Sequence, residues 1–487
     1  MELILLGFYV LALSVLSIFG LYGLVMVITY LRLKPSDPQL GPLLPDSELP
    51  LVTVQLPVFN ERYVVERLIS AVCELDWPKE RLEIQVLDDS TDDTVLLSQT
   101  VVDRKVAEGY DVKLLHRTNR SGFKAGALKE GLSVARGEFL AIFDADFIPS
   151  SNFLRDTVPH LVGDPGIGMV QARWEHINSD YSLLTRVQAM ALDAHFAMEQ
   201  QVRNRARVFI NFNGTAGVWR KSCIIEAGDW HSDTLTEDLD LSYRAQLSGW
   251  RFLYLNDVTV PAELPAEVNG LKLQQFRWTK GAIETAKKHL WRVWQSDQPL
   301  LVKLHATVHL TSNVVFPFIL FIALLNLPII LIKKAHPELD LYYNLMAIFI
   351  LASISTFLFY LVAQRDIRGD WKRRMLLFPV FMAGTMGLAV NNTKAVLEAV
   401  FNKKSEFKRT PKYNITKKED TWTRSLYRFS KISLGTVIEL LLAFYFAVGI
   451  AISIWLVEIA ALPFQLMYLF GFGFAGYLSL RHAWARG

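Results

Sequence analysis

Asp144 and Asp146, in AIFDADFIPS, stand one residue apart where an apolar run gives way to a turn. In an extended chain, residues i and i+2 point to the same side, so both carboxylates would face one point. Like charges that close call for a cation. A divalent ion carrying a phosphate is the natural candidate, because Mg2+ is usually held by one or two carboxylates plus phosphate oxygens. The plain alternative is a polar loop after a strand. Three further clusters follow the same logic. LDDSTDD places Asp88 and Asp89 at the end of another apolar run. TEDLDLSYR puts Glu237, Asp238 and Asp240 ahead of a helical stretch, where Thr236 or an acid could cap the helix. In QQFRW, Gln274, Arg277 and Trp278 fall at i, i+3 and i+4 and share one helix face. An amide, a planar cation and an indole suit a diphosphate and a sugar ring, although the same face would serve an amphipathic helix lying at a membrane surface.

These residues need a scaffold. LVTVQLPVF, LEIQVLDD, GEFLAIFDAD and GIGMVQARW read as strands, with helical stretches such as 63–75 and 124–135 between them. That alternation predicts an α/β domain with a mostly parallel sheet over about residues 51–269. Ligands of such sheets bind beyond the carboxyl ends of the strands, where the acidic pairs lie.

Outside this domain the chain turns apolar. With 51% hydrophobic residues and a formal charge of only +3, it offers no nucleic-acid-binding field. The run 3–31 is long enough to span a bilayer and lacks the cleavage site of a signal peptide. Arg32 and Lys34 behind it predict that the following side is cytosolic. The runs 304–332, 341–362, 434–457 and 462–480 read as four further spans. Residues 375–401 are interrupted by Asn391, Asn392 and Lys394, and precede a loop carrying Lys403, Lys404, Lys408, Arg409, Lys412, Lys417, Lys418, Arg424, Arg428 and Lys431. A full crossing there would put those cations outside, so an interfacial or re-entrant segment is expected. That leaves five spans, the amino terminus outside and the terminal RHAWARG inside. Cys73 and Cys223 read as reduced core thiols. GFGFAG (471–476) lies inside a span and reads as helix packing rather than nucleotide binding. The sequons at Asn213, Asn391 and Asn414 read as chance. His305 and His309 read as helix packing or a polar lining, with no third metal ligand.

The ordered set QLPVFNE, QVLDDSTDDT, KAGALKEG, FDADF, VQARW, FNGTAGVWR, TEDLDLSYRA, QQFRW and SEFKRTPKYN resembles the processive inverting family 2 glycosyltransferases. Cellulose and hyaluronan synthases are members, and the plant cellulose-synthase-like A and C groups, the mannan and glucan synthases, are most similar. The resemblance spans about 51–413. It implies a GT-A domain with a mostly parallel central sheet, fused to an α-helical transmembrane region with interfacial helices, and a nucleotide-diphosphate sugar as donor. By position, Phe59, Asn60, Glu61, Asp88 and Asp89 would border the nucleoside, and Lys124 would approach the diphosphate. Asp144 and Asp146 would hold Mg2+ or Mn2+, with Asp144 also meeting the donor. Asp238 would be the general base. Gln274 and Arg277 would close on the donor; Trp278, Asn213, Gly214 and Glu237 would meet the acceptor. The gating loop F-x-V-T-x-K of the cellulose synthases is absent as such, and FKRTPKYN stands in its place.

The implied organisation is an anchor with a basic flank (1–34), a linker (35–50), a cytosolic GT-A domain (51–269), interfacial helices carrying QxxRW (270–303) and a transmembrane channel region (304–487) containing the interfacial segment 375–401 and the basic loop 402–431. The expected membrane is the plasma or inner membrane, or the Golgi in a eukaryote. The expected reaction moves hexose from GDP-mannose or UDP-glucose to a β-linked, β-1,4 glycan threaded through the protein's own helices. A transferase acting on a lipid acceptor is one alternative, and a non-catalytic export scaffold is another.

Overall fold

The computed structural model describes residues 2–33, 44–405, 407–423, 425–427 and 432–484. Lys34, most of the 35–50 linker, Arg424, Arg428, Lys431 and the last three residues lie outside the described residues.

Seven strands form one sheet: β1 (Val52–Val58), β2 (Leu82–Asp88), β3 (Asp111–His116), β4 (Phe139–Ile142), β5 (Ile167–His176), β6 (Gly217–Arg220) and β7 (Arg251–Ala262), in the order β3-β2-β1-β4-β6-β5-β7. The β1–β2, β1–β4, β2–β3 and β5–β7 pairs are parallel; β6 runs antiparallel to both β4 and β5. The mostly parallel GT-A-like sheet expected from the sequence is therefore present, with one reversed strand. Alternate residues feed two cores. Val52, Val54, Leu56, Phe139 and Ala141 pack with Val65, Leu68 and Val158 of helices on one face. Leu87, Leu140 and Ile142 pack with Leu128, Ile224 and Leu241 of helices on the other. A sheet covered on both faces explains the near-continuous apolar strands.

Beyond β7 the long helix Val268–Gln295 carries QxxRW. Among the described residues, five helical stretches are long and apolar enough to cross a membrane: Glu2–Arg32, Leu300–Ala335, Pro337–Ile367, Leu434–Trp455 and Ile459–Trp484. They coincide with the five expected spans. The segment 375–401 is divided between Phe378–Gly387 and Ala389–Val400, each about half the length needed to span a hydrocarbon core. Ala389–Val400 lies along Val268–Gln295, with Asn391 Nδ2 donating to Lys272 O at 2.9 Å. Gly471 of GFGFAG packs where a Cβ would fall 2.1 Å from Ala383 O, which is the close helix approach expected of it. His305 and His309 bond to Tyr22 (2.6 Å) and Tyr243 (2.9 Å), so both join helices. Cys73 and Cys223 are buried free thiols.

Candidate active site

The carboxyl ends of β1, β2 and β4 open into a cleft of about 180 Å³. Phe59, Glu61, Asp89, Lys124, Asp144, Asp146, Asn213, Gly214, Glu237, Asp238, Gln274, Arg277 and Trp278 all line it. Residues far apart in sequence thus converge where the parallel sheet places a ligand.

Asp144 and Asp146 reach the cleft differently from the sequence expectation. The strand ends at Ile142, Phe143 N still bonds Gln55 O (3.2 Å), and the chain then turns, with Phe147 N bonding Asp144 O at 3.0 Å. The two carboxylates therefore project from a turn and not from one strand face. Thr215 Oγ1 accepts from Asp144 N at 2.9 Å and steadies that turn. Lys124 Nζ donates to Asp144 at 2.5 Å and to Gly214 O at 2.9 Å. Lys412 Nζ donates to Asp146 at 2.6 Å and to Glu263 O at 2.8 Å. Hard oxygen donors facing one cleft fit a small divalent cation beside a diphosphate. The Lys412 amine would have to leave Asp146 for that oxygen to become a ligand.

Glu237 and Asp238 open the helix Glu237–Leu247. The capping alternative holds only in part: Thr236 makes no side-chain cap and meets Thr285 Oγ1 at 3.2 Å instead, but Asp238 Oδ1 accepts from the free backbone N–H of Leu239 at 2.8 Å. Burial and the neighbouring Glu237 charge push the Asp238 carboxyl up to about 7, against the pull of Lys124. Burial likewise raises Glu237, with Lys124 pulling it down. Asp238 is thus poised to change protonation near neutrality, which suits a general base. Asp240 is spent elsewhere: His289 (2.6 Å), Lys288 (2.8 Å) and Arg244 surround it.

The Val268–Gln295 helix presents Gln274, Arg277 and Trp278 to the cleft as a helical face. Trp278 lies 6.4 Å from Trp174, extending an aromatic wall. Arg277 donates to Thr410 at 3.3 Å and sits 4.6 Å over the Phe407 ring.

Two expected donor contacts lie outside the cleft lining. Asp88 is fully buried and its carboxylate meets His116 Nδ1 at 2.8 Å, whereas Asp89, the next residue, turns into the cleft and pairs with Arg117 at 2.6 Å. Asn60 adopts φ 55° and accepts from Thr91 N at 2.8 Å, so it shapes the loop behind Phe59. Phe59 carries the Arg120 guanidinium 3.3 Å from its ring centre. Asn213 reaches the cleft, but its amide is bonded at both ends, to Gln200 (2.7 Å) and His195 (2.9 Å).

Several lining residues were not singled out by sequence: Trp174, Glu263 and Phe407 among them. Glu263 follows β7 as Asp89 follows β2, so an acid just past a strand end could have flagged it. It accepts from Tyr413 N (3.0 Å) and Asn414 N (2.8 Å), and Arg409 pairs with Glu61 at 2.9 Å. The basic loop is thereby seated inside the cleft.

A family model described as "Glycosyltransferase like family 2" matches residues 50–281. Glucomannan 4-beta-mannosyltransferase 2 of Arabidopsis thaliana is 39% identical over 387 residues, which is 74% of this chain and 72% of that protein. Glucomannan 4-beta-mannosyltransferase 1 of Oryza sativa subsp. japonica is 45% identical over 281 residues, 57% of this chain and 53% of that protein, so the match spans about half its length. A solved mannosyltransferase, PcManGT from Pyrobaculum calidifontis in complex with GDP-Man and Mn2+, shares the fold at a TM-score of 0.51 and 19% identity, covering 80% of this chain and 100% of that one. The chain belongs to the family 2 glycosyltransferases, and its similarity runs to the cellulose-synthase-like A group, the plant glucomannan 4-beta-mannosyltransferases.

Proposed function

We propose that this enzyme transfers mannose from GDP-mannose to the end of a β-1,4-linked glycan, with inversion, and passes the product between its membrane helices. The observation that carries the reaction type is Asp238, a carboxyl raised to about 7 beside Lys124 and Glu237 in the cleft where the sheet would seat a donor. Of the two donors expected from sequence, the relatives' mannosyltransferase names favour GDP-mannose and give UDP-glucose no support.

Asp238 takes the proton from an acceptor hydroxyl as that oxygen attacks the anomeric carbon from the face opposite the diphosphate. Lys124 and Arg277 stand over the departing diphosphate and stabilise its charge. A divalent ion, Mg2+ or Mn2+, held by Asp144 and Asp146 would add Lewis-acid stabilisation of the same oxygens when bound. Trp278 and Trp174 offer aromatic faces to the acceptor's terminal rings. Phe59 and Glu61 border the nucleoside, and the 407–412 loop closes the cleft.

A second cavity of about 140 Å³ supports the product route. It shares Leu192, Gln274 and Trp278 with the cleft and runs between helices past Phe316, Phe381 and Phe474. The topology that accompanies this reading has the amino terminus outside and the catalytic domain and basic loop in the cytosol.

The test is to incubate purified protein with labelled GDP-mannose and, separately, UDP-glucose, with Mn2+. A polymer that organic solvent does not extract and that β-1,4-mannanase cuts is expected. A product extracted into organic solvent would replace this reading with a lipid acceptor. No turnover of either donor by folded protein would end the transferase assignment.

A further inference from the structure

Between the helices Leu183–Ala194 and Gln201–Arg205 the chain makes one π-helical turn, His195–Gln200. Such turns are rare and concentrate at functional sites. In a regular α-helix, residues i and i+5 are rotated about 140° apart. The π-turn brings His195 and Gln200 to one partner, Asn213, with Glu199 behind His195. Gln200 Nε2 donates to Asn213 Oδ1 at 2.7 Å and to Asn211 O at 2.7 Å. His195 Nε2 lies 2.9 Å from Asn213 Nδ2, and His195 Nδ1 lies 2.9 Å from Glu199 Oε2.

The chemistry of these partners fixes the proton. An ionised carboxylate only accepts, so Nδ1 carries the hydrogen and Nε2 is left bare to accept from the Asn213 amide. Desolvation would raise Glu199, but the Arg203 charge and the His195 hydrogen bond pull it down to about 2. Arg203 Nη2 stands 3.3 Å from Glu199. The Asn213 amide is thereby locked in one orientation, and Gln171 Oε1 accepts from its backbone N–H at 3.0 Å.

The next residue is where the chemistry lies. Gly214 has φ 83°, and a Cβ there would fall 2.9 Å from Asp238 Oδ2, so the backbone itself abuts the base. Its carbonyl receives Lys124 Nζ at 2.9 Å, the same ammonium that bonds Asp144.

We infer that His195 is a positioning residue: with Glu199 and Gln200 on the π-turn, it sets the Asn213–Gly214 backbone that places Lys124 and Asp238 relative to each other. It touches neither donor nor acceptor. The inference rests on the transferase reading. Displacing reacting groups by about 1 Å costs on the order of a hundredfold in rate, and outer partners of this kind are worth ten- to a hundredfold.

The experiment compares wild type, His195→Phe and His195→Gln, with kinetic constants taken per folded molecule. The donor is GDP-mannose, or UDP-glucose should the wild type prefer it, so that a wrong donor does not hide the effect. The Phe ring cannot accept from Asn213, whereas the Gln Oε1 can. His195→Phe should lose about a hundredfold in kcat with donor KM changed less than about threefold, and His195→Gln should recover most of that loss. Wild-type kcat in His195→Phe, or a Gln variant no better than Phe, overturns the inference. If His195→Phe does not fold, Glu199→Gln decides: its amide can donate to Nδ1, which releases the tautomer. About a tenfold fall in kcat at unchanged KM supports the role, and an unchanged kcat refutes it.

Discussion

Replacing Asp238 by Asn separates the base from everything else in the cleft, because the amide keeps the shape and loses the proton affinity. In the wild type the carboxyl sits at about 7. Below that value the base is protonated, so kcat/KM should fall about tenfold per pH unit; at pH 6 about a tenth of the plateau remains. Asp238→Asn should lose about a thousandfold in kcat, within the range a positioned base supplies, while donor affinity stays within a few fold. Stability should move the other way. A group held from 3.8 up to about 7 in the folded state destabilises that state as pH rises through this window, by up to about 4 kcal/mol. The neutral Asn variant should therefore melt higher than wild type at pH 8, and the gap should vanish near pH 4. Glu237→Gln removes one of the charges that raise Asp238, so the acid limb of its pH profile should shift to lower pH. Steady-state kinetics from pH 5.5 to 9, with melting curves on the same preparations, measure all of this. A variant with near-normal turnover, or a wild-type profile flat through pH 7, refutes the assignment.

Asp146→Ala should weaken metal-dependent donor binding by at least tenfold in calorimetry; EDTA should silence the wild type, and Mg2+ or Mn2+ should restore it, whereas full activity in chelator would sink the metal site. Lys412→Met removes the amine that occupies Asp146, so the Mn2+ concentration for half-saturation should drop severalfold; an unchanged titration would show that the amine does not compete. Trp278→Ala should retain nucleotide binding yet shift residual turnover toward donor hydrolysis or short products; normal-length polymer at a normal rate per folded molecule excludes the acceptor platform. A cysteine at exposed Lys404 should label from the cytosolic side of sealed vesicles, and labelling only from outside would overturn the topology.

What the sequence disclosed follows from how local each feature is. The five apolar helices and four of the strands, β1, β2, β4 and β5, are written in contiguous hydrophobic patterns, and the structure reproduces them. β3, β6 and β7 are not among the strand-like runs: β6, Gly217–Arg220, offers only Val218 and Trp219 as large apolar residues, and polar residues such as Lys113 in β3 and Asn256 and Asp257 in β7 interrupt the apolar pattern. Asp88 and Asp89 look equivalent as letters, yet adjacent residues at a strand end point to opposite sides, so one meets His116 and the other the cleft. Thr236 looks like a cap until Thr285, from another helix, takes its hydroxyl. Lys412 on Asp146 and His195 on Asn213 are contacts between distant segments, and no local pattern announces them.

The loop seated in the cleft has a consequence for how the molecule can be cut or recombined. The family match ends at residue 281, but Phe407, Arg409, Thr410 and Lys412, which wall the cleft, arrive from the far side of two of the apolar helices, Leu300–Ala335 and Pro337–Ile367. A fragment ending near 281 would keep the sheet and the acids and lose one wall of the site. Chimeras face the same constraint: exchanging residues 50–281 between two synthases pairs each new cleft with the old wall. Such hybrids should regain function only when 403–416 travels with the catalytic domain, so the heritable unit of specificity is discontinuous in the gene.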